Sequence, residues 1–167
     1  VMTHDQFCRI PMSPEIQHEI LQQELSDLED AILSYKANRH QGADKRILSG
    51  LEKRKENMRI EMRELMDNIN DKTHSSMTFH EMGIDHIFVD EYHMFKNLKF
   101  STRHVRVAGI GNYVGTQKTT VLLTAIRDMQ KRRGTDMCAS FFSGTVVVNA
   151  LSELYLLFKY LRPSALK

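Results

Sequence analysis

Two runs of apolar residues, spaced alternately four and three apart within residues 13–72, constrain this chain more than any other feature. In the first run Leu21, Leu25, Leu28, Ile32 and Tyr35 recur at those steps. In the second, Leu48, Leu51, Met58, Met62, Leu65 and Ile69 do the same, with polar Lys55 at the one interrupted position. Such spacing puts side chains on one stripe of a helix. Ser13-Pro14 offers a cap and a proline tolerated at the first helical position, and "NRHQGAD" (38–44) breaks the pattern at Gly42. The pattern predicts two helices of about 24–27 residues, each ~35–40 Å long. They fold back on one another as an antiparallel helical hairpin packed as a coiled coil.

Charge supports that pairing. The first arm carries Glu15, Glu19, Glu24, Asp27, Glu29 and Asp30; the second carries Lys45, Arg46, Lys53, Arg54, Lys55, Arg59 and Arg63. Opposite rims would meet when the arms pair. A nucleic-acid contact along the basic arm is disfavoured, because the arm lacks aromatic side chains on which bases stack.

Outside the hairpin the texture differs. Residues 1–12, "VMTHDQFCRIPM", have no period and read as the tail of an upstream strand and a loop. From residue 73 onward, short apolar strands alternate with amphipathic helices. Thr78 is expected to cap a brief helix ended by Gly83, followed by a buried strand over 86–89. Thr116 opens a helix with Val121, Leu122, Ala125, Ile126 and Met129 on one face, closed by Gly134. "MCASFFSGT" (137–145) reads as a second buried strand and turn, and "NALSELYLLFKYL" (149–161) as an apolar helix stopped at Arg162-Pro163. Strand, helix, strand, helix implies a parallel α/β layer.

Bulk properties set outer limits. At 167 residues, with 41% hydrophobic and 26% charged residues, the chain is long and apolar enough for a folded domain or one lobe of something larger. A net charge of +2 does not by itself argue for nucleic acid. Cys8 and Cys138 lie far apart without disulfide or metal spacing, as in a reducing cytoplasm, where the protein is expected. No apolar run approaches the ~20 residues that span a bilayer, so no membrane partner is expected. The first residue is Val1 and not Met, in keeping with a piece of a longer polypeptide.

"IDHIFVDEYHMFKNL" (84–98) raises the functional question, since an apolar strand ends in two adjacent carboxylates, Asp90 and Glu91. A nucleotide site would also need a glycine-rich loop ending in Gly-Lys-Ser/Thr to hold phosphates. "GNYVGTQKTT" (111–120) does not supply it. Its glycines are four apart, Gln117 intervenes before Lys118, and no glycine in the chain is followed directly by lysine. That stretch reads as a capped helix start after a loop.

Two motifs together carry a resemblance. "FVDEYHMFKN" (88–97) resembles motif II of superfamily 2 helicases in the Asp-Glu-x-His form, with the Lys-Asn of Swi/Snf-type ATPases. "FFSGTVVVNALSELYLLFKYLRP" (141–163) is similar to that group's motif III and the Leu-x-Glu-Leu helix after it. "VMTH" (1–4) resembles the strand end preceding motif II. "MTHDQF" and "GIDHIFVDE" look closest to the helicase segment of methylase-helicase proteins of phages and conjugative elements. The similarity covers about residues 73–167 and implies a partial RecA-like parallel sheet lobe. The helical hairpin would be an insertion in that lobe.

The resemblance implies roles for particular residues. Asp90 would help hold Mg²⁺ on ATP through water. Glu91 would orient and activate the water that attacks the γ-phosphate. His93 would couple the nucleotide state to the rest of the lobe. Ser143, Gly144 and Thr145 would link hydrolysis to movement on DNA, and Lys96 and Asn97 would serve a structural or coupling role. Tyr92 and Val146 depart from the family pattern, replacing a small residue and a proline, and Val148 replaces a usually polar position. These departures bear on coupling more than on metal binding.

For Lys99, Arg103, His104 and Arg106 in the loop after motif II, a DNA-backbone contact and a solvated loop stand as equal readings. His4, His18, His74, His80, His86 and His104 are too scattered for a metal site and are expected at the surface or locally bonded. The leading expectation is therefore part of a DNA-dependent ATPase, with Mg²⁺ and ATP as cofactors of the complete protein and neither held tightly by this chain alone. Its partners would be DNA, the remaining lobes, a fused methylase and, through an exposed sheet edge or the hairpin, a second copy. The alternative is a degenerate lobe acting as a scaffold through its hairpin. A metal-dependent nuclease built on Asp90 and Glu91 ranks last, for want of further acidic residues around a cation.

Overall fold

A computed structural model describes residues 1–37, 45–70, 77–98, 115–145 and 152–166. Lys99, Arg103, His104 and Arg106, for which a basic loop is expected, and Val146 and Val148, for which departures from a helicase motif are expected, lie outside the described residues. The fold is mixed and mostly helical, with one two-stranded parallel sheet among the described residues. Contacts divide it into two compact units.

The first unit comprises the described residues of 1–16, 77–98, 115–145 and 152–166. Helix α1 (His4–Phe7) stands where the sequence predicts the tail of a strand. The reason is local: Thr3 and Gln6 form a capping box, with Gln6 N–H donating to Thr3 Oγ1 and Thr3 N–H to Gln6 Oε1. The brief helix expected after Thr78 is instead a turn. Thr78 and Glu81 cap each other, but Gly83 takes φ 64° and stops propagation after one turn.

Strand β1 (Ile87–Val89) pairs in parallel with β2 (Ala139–Phe141), with Ile87 opposite Ala139 and Val89 opposite Phe141. Between them runs α4 (Gln117–Arg133), which starts at a Thr116 capping box and ends at Gly134 with φ 64°. Both ends fall where the sequence predicts them. Helix α4 is buried on more than its apolar stripe, since Thr119, Thr124, Asp128 and Gln130 are buried along with Leu122 and Ile126. Arg127 and Gln130 explain part of this, donating to the main-chain oxygens of Lys159 and Tyr160 in α5 (Ser152–Leu161).

Among the described residues, only one face of the sheet is covered. Phe141 meets Tyr160 of α5 edge-on at 5.5 Å, whereas Phe88 on the other face is 74% exposed and Phe142 52% exposed. On that open face the Phe88 ring stacks against Phe142 at 6.2 Å, and His86 bonds Ser140 Oγ at 3.0 Å. The expectation of two fully buried strands is corrected here: strand side chains alternate, and the described helices meet one side only.

The second unit contains most of α2 (Pro14–Ala37) and α3 (Lys45–Asn70). Leu28, Ile32 and Leu51 form its core cluster, with Ile47 and Leu48 packed against it. Lys36 pairs with Glu52 and Arg59 with Glu29, so numbering falls along one helix as it rises along the other, and the two run antiparallel. Lys55, the polar residue in the apolar stripe, reaches Glu29 at 2.7 Å. That contact, ahead of Arg59 nearby, holds the Glu29 carboxyl below its usual range. Although α2 and α3 are long, no described helix is long and apolar enough to cross a membrane.

Candidate functional site

The chain leaves β1 at Val89 and turns sharply through Asp90 and Glu91 before a 3₁₀ turn over Tyr92–Phe95. Both carboxylate residues are exposed, as adjacent charges at a strand end must be to keep their hydration. Glu91 has φ 49° and ψ 45°, the left-handed region, and is the one described residue other than glycine with positive φ. That conformation costs an L-residue about 1–2 kcal/mol. Its N–H donates to Asp90 Oδ1 at 2.9 Å, and its Oε2 lies 3.0 Å from His93 Nδ1. Asp90, Glu91 and His93 are thus one connected cluster.

Tyr92 turns inward. It is 2% exposed and its ring stacks on Phe141 at 4.8 Å and 17°. The sheet accommodates this bulky ring because Phe141 offers it a flat platform. The left-handed Glu91 is the conformational step between exposed Asp90 and buried Tyr92. Burial, and then the nearby Glu153 carboxylate, pushes the Tyr92 phenol up to about 12.

Ser143, Gly144 and Thr145 leave the neighbouring strand at the same end. Phe142 N–H donates to Val89 O at 2.8 Å, and Tyr92 N–H donates to Phe142 O at 3.0 Å. Ser143 follows immediately. Its hydroxyl donates to Thr145 O at 3.1 Å and accepts from Thr145 N–H at 3.4 Å, closing a tight turn over exposed Gly144. Two parallel strands therefore deliver Asp90-Glu91 and Ser143-Gly144-Thr145 side by side at their carboxyl ends, the usual ligand-bearing edge of an open α/β sheet.

Lys96 and Asn97 tie the turn to the helices behind it. Lys96 Nζ lies 3.0 Å from Glu153 Oε2 in the first turn of α5, with the side chains 13% and 3% exposed. Asn97 contributes through its main chain, accepting from the Thr119 hydroxyl of α4 at 3.1 Å. The Tyr160 hydroxyl lies within hydrogen-bonding distance of both Phe95 O and Thr119 O. Sequence reasoning did not assign His4 or Glu153 to this region. A Glu in the first turn of an apolar helix, with a Lys after the acidic motif, was the available signal for the second.

Among the described residues, no group of three or more His, Cys, Asp or Glu could by itself cage a metal. The acidic turn offers one or two exposed carboxylates, a donor set that suits Mg²⁺ keeping its waters and shared with phosphates. His80 bonds Asp128 and His86 bonds Ser140, so these histidines are locally satisfied as expected. "GTQKTT" is a capped helix start, with Thr119 N–H bonded to Thr116 Oγ1 and Lys118 near Asp5.

No curated protein and no solved structure matches this chain. A family model described as a probable helicase domain matches residues 1–167, and the chain belongs to that family.

Proposed function

We propose that this chain is the later part of the first RecA-like lobe of a superfamily 2, Swi/Snf-type DNA-dependent ATPase, related to the helicase segment of methylase-helicase proteins. The observation that carries the reading is the junction just described: an exposed Asp-Glu pair and a Ser-Gly-Thr turn side by side at the carboxyl ends of parallel strands. Membership of a helicase-domain family supports it.

On this reading Asp90 receives hydrated Mg²⁺. One of its oxygens is engaged by Glu91 N–H, and the other has no hydrogen bond among the described residues. When bound, the cation neutralises charge on the terminal phosphates of ATP. Glu91 orients the attacking water and accepts its proton, and His93, 3.0 Å from Glu91 Oε2, holds that carboxylate in place. The Tyr92–Phe142 main-chain bond and the Lys96–Glu153 pair carry changes at the turn into β2 and α5. The phosphate-holding lysine loop and the second lobe belong to other segments of a complete motor. This chain alone therefore binds Mg-ATP weakly and does not turn it over.

The test is ATP hydrolysis, with and without DNA, by a polypeptide that joins this chain to a Gly-Lys-Thr loop and a second lobe. DNA-stimulated turnover that disappears in Glu91→Gln supports the reading. Undiminished turnover in Glu91→Gln refutes it. Tight Mg-ATP binding with turnover by the 167-residue chain alone would refute its dependence on other segments.

A further inference from the structure

His4 meets the acidic turn from 86 residues away in the chain. Its Nε2 lies 3.0 Å from the main-chain oxygen of Asp90, and its ring sits edge-on to Phe95 at 4.9 Å and 71°. A carbonyl oxygen only accepts, so Nε2 must carry the proton and donate. That carbonyl belongs to the peptide plane joining Asp90 to Glu91. Rotation of this plane about the Glu91 N–Cα bond is the motion that would release the left-handed φ of 49°. Its other polar end, Glu91 N–H, is held by Asp90 Oδ1 at 2.9 Å. Both ends of the strained plane are therefore pinned, one from within the turn and one by His4.

The histidine is itself braced. The Thr3–Gln6 capping box fixes the first turn of α1, with bonds of 2.9 and 3.2 Å, and Cys8 N–H returns to His4 O at 3.0 Å. Phe7 packs edge-on to Phe79 at 5.9 Å, and Phe79 N–H donates to Pro11 O at 2.8 Å, which ties the α1 segment to the turn before β1. A donor on a braced element can hold a functional group to the tolerance chemistry requires, whereas a donor on a free terminus cannot.

We propose that His4 is a positioning residue of the acidic turn: its Nε2–H fixes the Asp90–Glu91 peptide plane and so sets the arrangement of the two carboxylates. The proposal rests on the reading of Asp90 and Glu91 as the groups that handle Mg-ATP. His4 does not touch the nucleotide; it acts through the main chain.

The test is amide hydrogen exchange of the full chain at neutral pH, comparing wild type with His4→Phe, which keeps a ring but no donor, and His4→Gln, whose amide nitrogen stands near the place of Nε2. The Glu91 and Tyr92 amides report on the turn; the Ile87 amide, bonded to Cys138 O at 3.1 Å, reports on the sheet. In His4→Phe, exchange at Glu91 and Tyr92 should accelerate about fivefold while Ile87 stays within about twofold of wild type. His4→Gln should return the turn to within about twofold of wild type. Unchanged turn exchange in His4→Phe, equal acceleration at Ile87, or no rescue by His4→Gln each overturns the proposal.

Should His4→Phe fail to fold, the side-chain nitrogen spectrum of wild type decides. An Nε2 proton that shows through-bond coupling to the Asp90 carbonyl carbon bears the proposal out, and the absence of that coupling overturns it. Exchange is read without nucleotide, so failure here leaves the ATP reading intact, while undiminished turnover by Glu91→Gln in the hydrolysis assay removes that reading and leaves the His4 contact standing.

Discussion

Replacing Tyr92 by phenylalanine should make this protein more stable, although Tyr92 lies inside the candidate motif. The phenolic oxygen is buried and has no hydrogen-bond partner among the described residues. Such a group forfeits its bonds to water without compensation, a penalty of about 1–3 kcal/mol. Phenylalanine keeps the ring and its 4.8 Å stack on Phe141 while removing the oxygen. The expected gain is about 1–2 kcal/mol, or a rise in Tm of roughly 2–6 °C for a chain of this size.

Thermal unfolding followed by circular dichroism measures it, with Tyr92→Ala as the control that should lose about 3–5 kcal/mol through the cavity it leaves. Alkaline pH adds a second arm. The folded phenol is pushed up to about 12 from 10, so the folded state favours the neutral form. That contribution is intact below pH 10 and is lost as pH rises from 10 toward 12. Wild type should accordingly lose stability over that window relative to Tyr92→Phe. A fall in Tm of the phenylalanine variant by more than about 2 °C would mean the hydroxyl has a partner, and the reasoning would be wrong.

Three further outcomes follow from named contacts. Lys96→Met removes the lysine from an almost fully buried Glu153 carboxylate, and should lower stability by about 1–3 kcal/mol in urea titration; a loss below about 0.5 kcal/mol would show that the other contacts of Glu153 suffice to hold its charge. Thr116→Ala removes the capping hydroxyl of α4 and should cost about 1 kcal/mol by the same titration, with no change in the far-ultraviolet spectrum beyond the first turn. Phe88→Ser with Phe142→Ser should sharply reduce the binding of an anilinonaphthalene dye at unchanged secondary structure, because these two rings form the open aromatic face of the sheet. Dye fluorescence equal to wild type would put the exposed apolar surface elsewhere.

The parts of this fold legible in the sequence are those governed by neighbours three or four residues away. The caps at Ser13 and Thr116, the stop at Gly134 and the stripe through Leu28, Ile32 and Leu51 all depend on local periodicity and backbone sterics. Strand positions were legible from their short apolar runs. What could not be read depends on long-range packing. His4 to Asp90 spans 86 residues, which no local pattern announces, and Lys96 to Glu153 spans 57, signalled only by a Glu opening an apolar helix and a Lys after the acidic pair. Nor does composition reveal which face of a strand stays open. Ile87, Phe88 and Val89 are equally apolar as letters, yet Phe88 alone stands 74% exposed. At residues 4–7 the error was of another kind, since the T-x-x-Q capping box is itself local and outweighs an apparent strand tail.

The left-handed Glu91 also bears on how this sequence could change over time. Glycine occupies that region freely and asparagine with little penalty, whereas glutamate does not. Glu91→Gly is therefore expected to hold or raise the melting temperature, by up to about 1 kcal/mol of stability, while deleting the carboxylate. Selection for a sturdy fold and selection for a carboxylate pull in opposite directions at this one residue. Under selection for stability alone, substitutions toward glycine or asparagine would be favoured there. On the proposed reading of Glu91 as the group that activates water, a glutamate held at φ 49° gives up stability for chemistry.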